Sequence, residues 1–136
     1  MPTVGEVMTR GVITIGEEES VASAMKTMVE RHVSSIIVKK KDDADVYGIV
    51  TRKDVIHSVV GRSNDPRDMK VADVMTKPVM TITPSMDVVA AAKLMEKTRV
   101  RRFPVVENNV LVGLISNSDI FRAYVMDNII SKAKKN

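Results

Sequence analysis

Cysteine is missing altogether from the 136 residues, which rules out a disulfide scaffold and suits a reducing compartment. Aromatic residues make up only 3% of the chain, too few to build stacking platforms for single-stranded bases. There is no charged-then-apolar leader and no long uncharged apolar run. Secretion and membrane spanning are therefore not expected, and the sequence reads as cytoplasmic. Histidine is limited to His32 and His57, which share no metal-ligand spacing. No set of nucleophile, base and orienting group is visible either, so catalysis is not expected. Charge of one sign does not dominate, since 21 Lys and Arg residues are interspersed with 17 Asp and Glu. The net charge of +4 and the pI near 9.4 gather locally, in "KKKDD" at 39–43, at Arg99, Arg101 and Arg102, and in the closing "SKAKKN". A pooled charge without a stripe leaves nucleic-acid binding as a lesser alternative, one that predicts affinity collapsing with salt.

What the chain does have is an internal repeat. Residues 4–38 align with 71–105, and residues 46–60 with 111–125. Val7 matches Val74, Met8 Met75, Thr9 Thr76, Thr14 Thr81, Val21 Val88, Met28 Met95 and Asp54 Asp119. The one change of length falls where "KKKDDADVYG" is answered by the shorter "ENNVLVG", as a surface hairpin tolerates. The organisation is a first repeat over 1–60, a linker "GRSNDPRDMK" over 61–70, a second repeat over 71–127 and a basic tail over 128–136.

Each repeat reads as strand, helix, strand, strand, helix. "VITI" (12–15) and "VMTI" (79–82) are short extended runs, and Ser20 and Asp87 stand where helix N-caps belong. Val21, Ala24, Met25, Met28 and Val29, matched by Val88, Ala91, Ala92 and Met95, follow a helical apolar period. The ten methionines are read as adaptable core filler. "SSIIV" then "VYGIV", and "RFPVV" then "VLVGLI", read as hairpin strands; second helices start near Asp54 and Asp119. A unit of about sixty residues is marginal alone. The fold expected is α/β, two β-α-β-β-α repeats related by a pseudo-twofold axis and packed through their sheets.

The most informative stretch is "GIVTRKD" (48–54), which recurs as "GLISNSD" (113–119). A hydroxyl followed three residues later by an acid is close to a capping box, a purely structural device. The same pair can hold a ribose diol and a phosphate, the carboxylate being acceptor-only and the hydroxyl suited to an anion. A cap by itself gives no reason for the glycine ahead of it, where a small residue permits close backbone approach.

The repeated "VGEVMTRGVITI" and "VADVMTKPVMTI", the hairpin "RRFPVVE" and the two glycine-to-aspartate stretches together resemble a tandem pair of CBS domains, a Bateman module. The resemblance implies binding of AMP, ADP, ATP or S-adenosyl compounds as regulatory ligands in two clefts, with no other cofactor and no catalytic residue. One cleft is implied around Thr51 and Asp54, walled by Met75, Met80 and Val100, with Arg101 and Arg102 toward phosphate. The other is implied around Ser116 and Asp119, walled by Met8, Ile13 and Val33, with Ser34 and Ser35 in the places of the two arginines. Guanidinium groups receive phosphate in a bidentate manner, so the Asp54 cleft is expected to prefer phosphorylated ligands. The resemblance also implies a homodimer, for which Val55, Ile56, Val59, Ile120, Phe121 and Tyr124 are candidate contacts or core, and a separate, unidentified regulated partner. A structural dimerisation module with vestigial clefts is the alternative.

Overall fold

A computed structural model describes residues 2–131. The lysines of the expected basic tail, within 132–136, lie outside the described residues. The fold is α/β, with two sheets; the first repeat shows the expected order of strand, helix, strand, strand, helix, and the second shows it without the first strand. Two compact units result, one being Ile13–Val79, the other joining the residues up to Val12 to those from Met80 onward. The compact units are thus not the sequence repeats, because the leading segment of each repeat is built into the unit that holds the other repeat's helices.

In the Ile13–Val79 unit, β1 (Thr14–Ile15) pairs in parallel with β2 (Ser35–Val38), which pairs antiparallel with β3 (Gly48–Thr51). All four residues of β2 are buried, as in a strand covered on both faces. Helix α2 (Val21–Arg31) starts at Ser20, whose hydroxyl accepts from the Ser23 amide at 3.0 Å, and ends at His32 in the left-handed region, φ 55°. Its Val21, Ala24 and Met28 enter a core with Ile36, Val38, Val50, Val55 and Val59. Val29, expected in the same stripe, is instead 74% exposed. It sits about 80° around the helix from Val21, at the margin of the apolar face. Val71, at 0% exposure, closes this core from the leading segment of the second repeat. That segment is stitched to β3 by two bonds, from the Thr76 amide to the Ile49 carbonyl at 2.8 Å and the reverse at 2.9 Å. The expected linker is docked as well: the Val21 amide donates to the Met69 carbonyl at 2.9 Å, and Asp65 caps a short 3-10 turn over Pro66–Asp68.

The other unit repeats this plan. Its α1 (Val4–Val7) is closed by a Thr3–Glu6 capping box, and Val4 is fully buried beside Phe103, Val105 and Ile115. Helix α4 (Val88–Thr98) begins at Asp87, which accepts from the Val89 amide at 2.7 Å, and ends at Arg99 with φ 63°. Strands β4 (Arg102–Glu107) and β5 (Val110–Ser116) form an antiparallel pair. The extended run expected over 79–82 shrinks to one parallel bridge, Ile82 to Val105. The reason lies in a single residue. In the Ile13–Val79 unit the Ile37 amide donates to the Ile13 carbonyl at 3.2 Å; the matching position holds Pro104, which has no amide hydrogen to give.

The second helices are α3 (Arg52–Val55), continued as a π-helical turn Ile56–Val60, and α5 (Asn117–Val125), continued over Met126–Ile130. The six candidate dimer contacts divide between core and surface. Val55 and Val59 are buried and Ile120 packs on the core, whereas Ile56, Phe121 and Tyr124 are 54%, 71% and 51% exposed.

One ion cluster joins three segments of the Ile13–Val79 unit. Lys77 Nζ lies 2.8 Å from Glu17 and 2.8 Å from Asp45, and Lys41 reaches Glu17 at 3.5 Å. The Lys77, Glu17 and Asp45 side chains are 18%, 8% and 16% exposed. Bonding to Lys77 holds both carboxyls below their ordinary values of 4.5 and 3.8, and bonding to Asp45 and then Glu17 holds Lys77 above its ordinary 10.5. Depressed acids stabilise the fold above their ordinary values, and that contribution is lost as pH falls below about 4. The raised lysine contributes fully below its ordinary value, and its share is lost as pH climbs past about 10.5. Lys77→Met is therefore expected to lower the melting temperature at pH 7, since it strands two carboxylates. The deficit relative to the parent should shrink as melting is repeated from about pH 5 down toward pH 2. A deficit independent of pH would show that packing, not charge, is what Lys77 supplies.

Candidate functional site

The two glycine-to-aspartate stretches fold as strand ends running into helix starts, and in both the hydroxyl and the acid form a complete capping box. At the first, Asp54 Oδ2 accepts from the Thr51 amide at 3.0 Å and from Thr51 Oγ1 at 2.8 Å, while the Asp54 amide donates to Thr51 Oγ1 at 3.2 Å. Both bonds to the carboxylate fall on one oxygen. Asp54 is half-buried, and its Oδ1 accepts no hydrogen bond among the described residues.

At the second, Asp119 Oδ2 accepts from the Ser116 amide at 2.9 Å and from Ser116 Oγ at 3.1 Å. Here the other oxygen is engaged too: Thr9 Oγ1 donates to Oδ1 at 3.3 Å, and Arg122 Nη1 lies 3.5 Å from it. Asp119 is 8% exposed. Thr9 and Arg122 were not among the residues expected at the site. The sequence did carry a signal for Thr9, which with Thr76 is one of the identities between the repeats.

The glycines have a structural reason of their own. A Cβ on Gly48 would stand 3.1 Å from the Thr76 carbonyl oxygen and 3.4 Å from Met75 Sδ. A Cβ on Gly113 would stand 3.0 Å from the Thr9 carbonyl oxygen and would overlap Met8 Sδ. The close approach inferred for these glycines is that of the leading segment, which lies edge to edge with the strand carrying the motif. This arrangement brings Met75 into the unit of Thr51 and Asp54, and Met8 into the unit of Ser116 and Asp119.

The remaining expected residues fall as follows. Ile13, Val33, Ser34 and Ser35 belong to the Asp54 unit, where Ile13, Val33 and Met75 pack on the core and the Ser34 carbonyl accepts from the Arg52 amide at 2.8 Å. Met80, Val100, Arg101 and Arg102 belong to the Asp119 unit. There the Arg101 carbonyl accepts from the Asn117 amide at 2.9 Å, the counterpart of the Ser34 bond, and Arg102 stands opposite Ser116 in the β4–β5 register. Val100 packs on that core, Arg101 is exposed and Met80 is 48% exposed. Among the described residues no group of His, Asp and Glu is arranged to hold a metal ion. His32 and His57 are both exposed.

Comparison with known proteins supports the same reading from a separate direction. A hexameric CBS-CP12 protein from bloom-forming cyanobacteria superposes with a TM-score of 0.84 at 37% identity, over 93% of this chain and 75% of that one. CBSX2, solved in complex with AMP, gives a TM-score of 0.81 at 25% identity, over 94% of this chain and 99% of that one. The mitochondrial CBS domain-containing protein CBSX3 of Arabidopsis thaliana is 30% identical over 111 residues, 79% of this chain; the chain spans 54% of CBSX3's own length. The family model for the CBS domain matches residues 4–61 and again 71–126. The chain belongs to the CBS-domain family, as a tandem pair of CBS domains.

Proposed function

We propose that this CBS pair is a regulatory module that binds an adenosine nucleotide, with an aspartate at the start of a second helix receiving the ribose hydroxyls, and that it signals occupancy to a separate protein partner. The observation that carries the reading is the Asp54 carboxylate: half-buried, held in orientation by Thr51 through one oxygen, and presenting the other. An ionised carboxylate fixed in this way is a ready acceptor for a vicinal diol. The solved AMP complex of CBSX2 supports adenine as the base. Thr51 serves as cap and, in this reading, as the hydroxyl near phosphate; no metal or further cofactor is required. Self-association into a homodimer belongs to the same proposal, supported by the exposed Ile56, Val60, Phe121 and Tyr124. A cytoplasmic site of action is also proposed; among the described residues no helix is long and apolar enough to cross a membrane.

The structural-module alternative is favoured by one observation, that both acids already have a structural task as capping partners. A thermal-shift panel of AMP, ATP, S-adenosylmethionine and GMP separates the two. A ligand that binds only the folded state at a hundredfold excess over its Kd adds about 2.7 kcal/mol, on the order of 10 °C for a chain of this size. The proposal expects such a rise with at least one adenosine compound and little with GMP. No rise with any adenosine compound leaves the structural module as the function.

A further inference from the structure

The two aspartates are equivalent in sequence and unequal in chemistry. An ionised carboxylate has about four acceptor positions, two on each oxygen. Asp119 meets three hydrogen-bond donors, the Ser116 amide, Ser116 Oγ and Thr9 Oγ1, and Arg122 Nη1 stands over the same Oδ1 as an ion-pair partner at 3.5 Å. Asp54 meets two, both from Thr51 and both on Oδ2. The difference has two sources. Thr76, the counterpart of Thr9, makes no hydrogen bond to Asp54, and His57 stands at the position matching Arg122. Burial follows the same division, Asp119 being 8% exposed and Asp54 half-buried.

Resting on the nucleotide reading above, we infer that the chain takes one adenosine nucleotide, at Asp54, and that Thr9 and Arg122 are the residues that close the Asp119 position. A diol arriving at Asp119 has to displace donors already in place, and its gain is only the difference between new and old hydrogen bonds. At Asp54 the same diol meets Oδ1 with no protein donor to displace. The Arg122 guanidinium is 72% exposed, so its ion pair alone is weak; closure comes from its acting together with Thr9 on one oxygen.

The test is calorimetric titration of AMP into the full chain and into a Thr9→Val/Arg122→Gln double variant. Valine keeps the threonine's shape, and the backbone bonds of residue 9 to Leu114 do not involve its side chain. The parent is expected to bind one AMP per chain. The double variant is expected to bind two, with the original site's affinity changed less than about twofold. Arg122→Gln alone, at an exposed position, guards against a folding defect and is expected to show a second site at least about tenfold weaker than the first. Two sites in the parent, or one unchanged site in the double variant and in Arg122→Gln, overturns the inference while the nucleotide reading stands. Absence of AMP binding by the parent overturns both.

Discussion

Gly113→Val is expected to destabilise the protein by about 2–3 kcal/mol, on the order of 10 °C in melting temperature. Gly113 is buried in β5, where the Thr9 carbonyl oxygen lies 3.0 Å from the place a Cβ would take and Met8 Sδ overlaps it. The methionine can swing aside, being flexible. The Thr9 carbonyl cannot move without cost, because it accepts from the Leu114 amide at 2.9 Å while the Thr9 amide donates to Leu114 at 2.8 Å. Valine therefore forces the leading segment off the strand edge and exposes the backbone groups of both. Val4, anchored further along that segment at 0% exposure, loses its place in the core as well. Cleavage by trypsin at Arg10, which precedes Gly11, should accelerate in the same variant. Gly48→Ala is the milder counterpart, since its closest contact is 3.1 Å from the Thr76 oxygen and no atom overlaps the added methyl. A Gly113→Val protein that melts like the parent would show that the glycine is not there to admit the leading segment.

Much of this architecture is legible in the residues. The duplication, the caps at Ser20 and Asp87 and, Val29 apart, the apolar faces of α2 and α4 follow from local spacing, which is why they read correctly. Pro104 was visible too, and its cost is now specific: it removes the amide that would have extended the first strand of the second repeat. The exchange of leading segments was not legible. Its pairings join Thr9 to Leu114 and Ile49 to Thr76, and no local period records a partner so far away. The charge run at 39–43 read as a tolerant loop, yet Asp45 just beyond it anchors Lys77. A carboxylate that leaves solvent to meet a distant lysine looks the same in sequence as one that stays solvated. At the site, the hydroxyl-to-acid spacing admitted two readings, a capping box and a ribose acceptor, and the capping box is seen in full. The inequality of Asp54 and Asp119 depended on Thr9 and Arg122, which contact the acid from the leading segment and from the next turn of helix α5.

The second large effect is expected from Asp54→Asn, and it bears on the central claim that one carboxylate both caps a helix and holds a ribose. Asparagine retains an oxygen to accept from the Thr51 amide, so both halves of the capping box survive, whereas Asp54→Ala keeps the bond from its own amide to Thr51 Oγ1 and gives up the reciprocal half. What asparagine loses is the charge and an acceptor-only surface for the two ribose hydroxyls, a charge-assisted contact of about 1.5–3 kcal/mol. In affinity that is roughly tenfold to a hundredfold. The most direct measurement is therefore the affinity of Asp54→Asn for AMP by titration calorimetry, taken beside its melting temperature without ligand. The account predicts a melting temperature within a few degrees of the parent and an affinity lowered at least about tenfold. A variant that binds AMP as tightly as the parent while melting lower would make Asp54 a helix cap and nothing else.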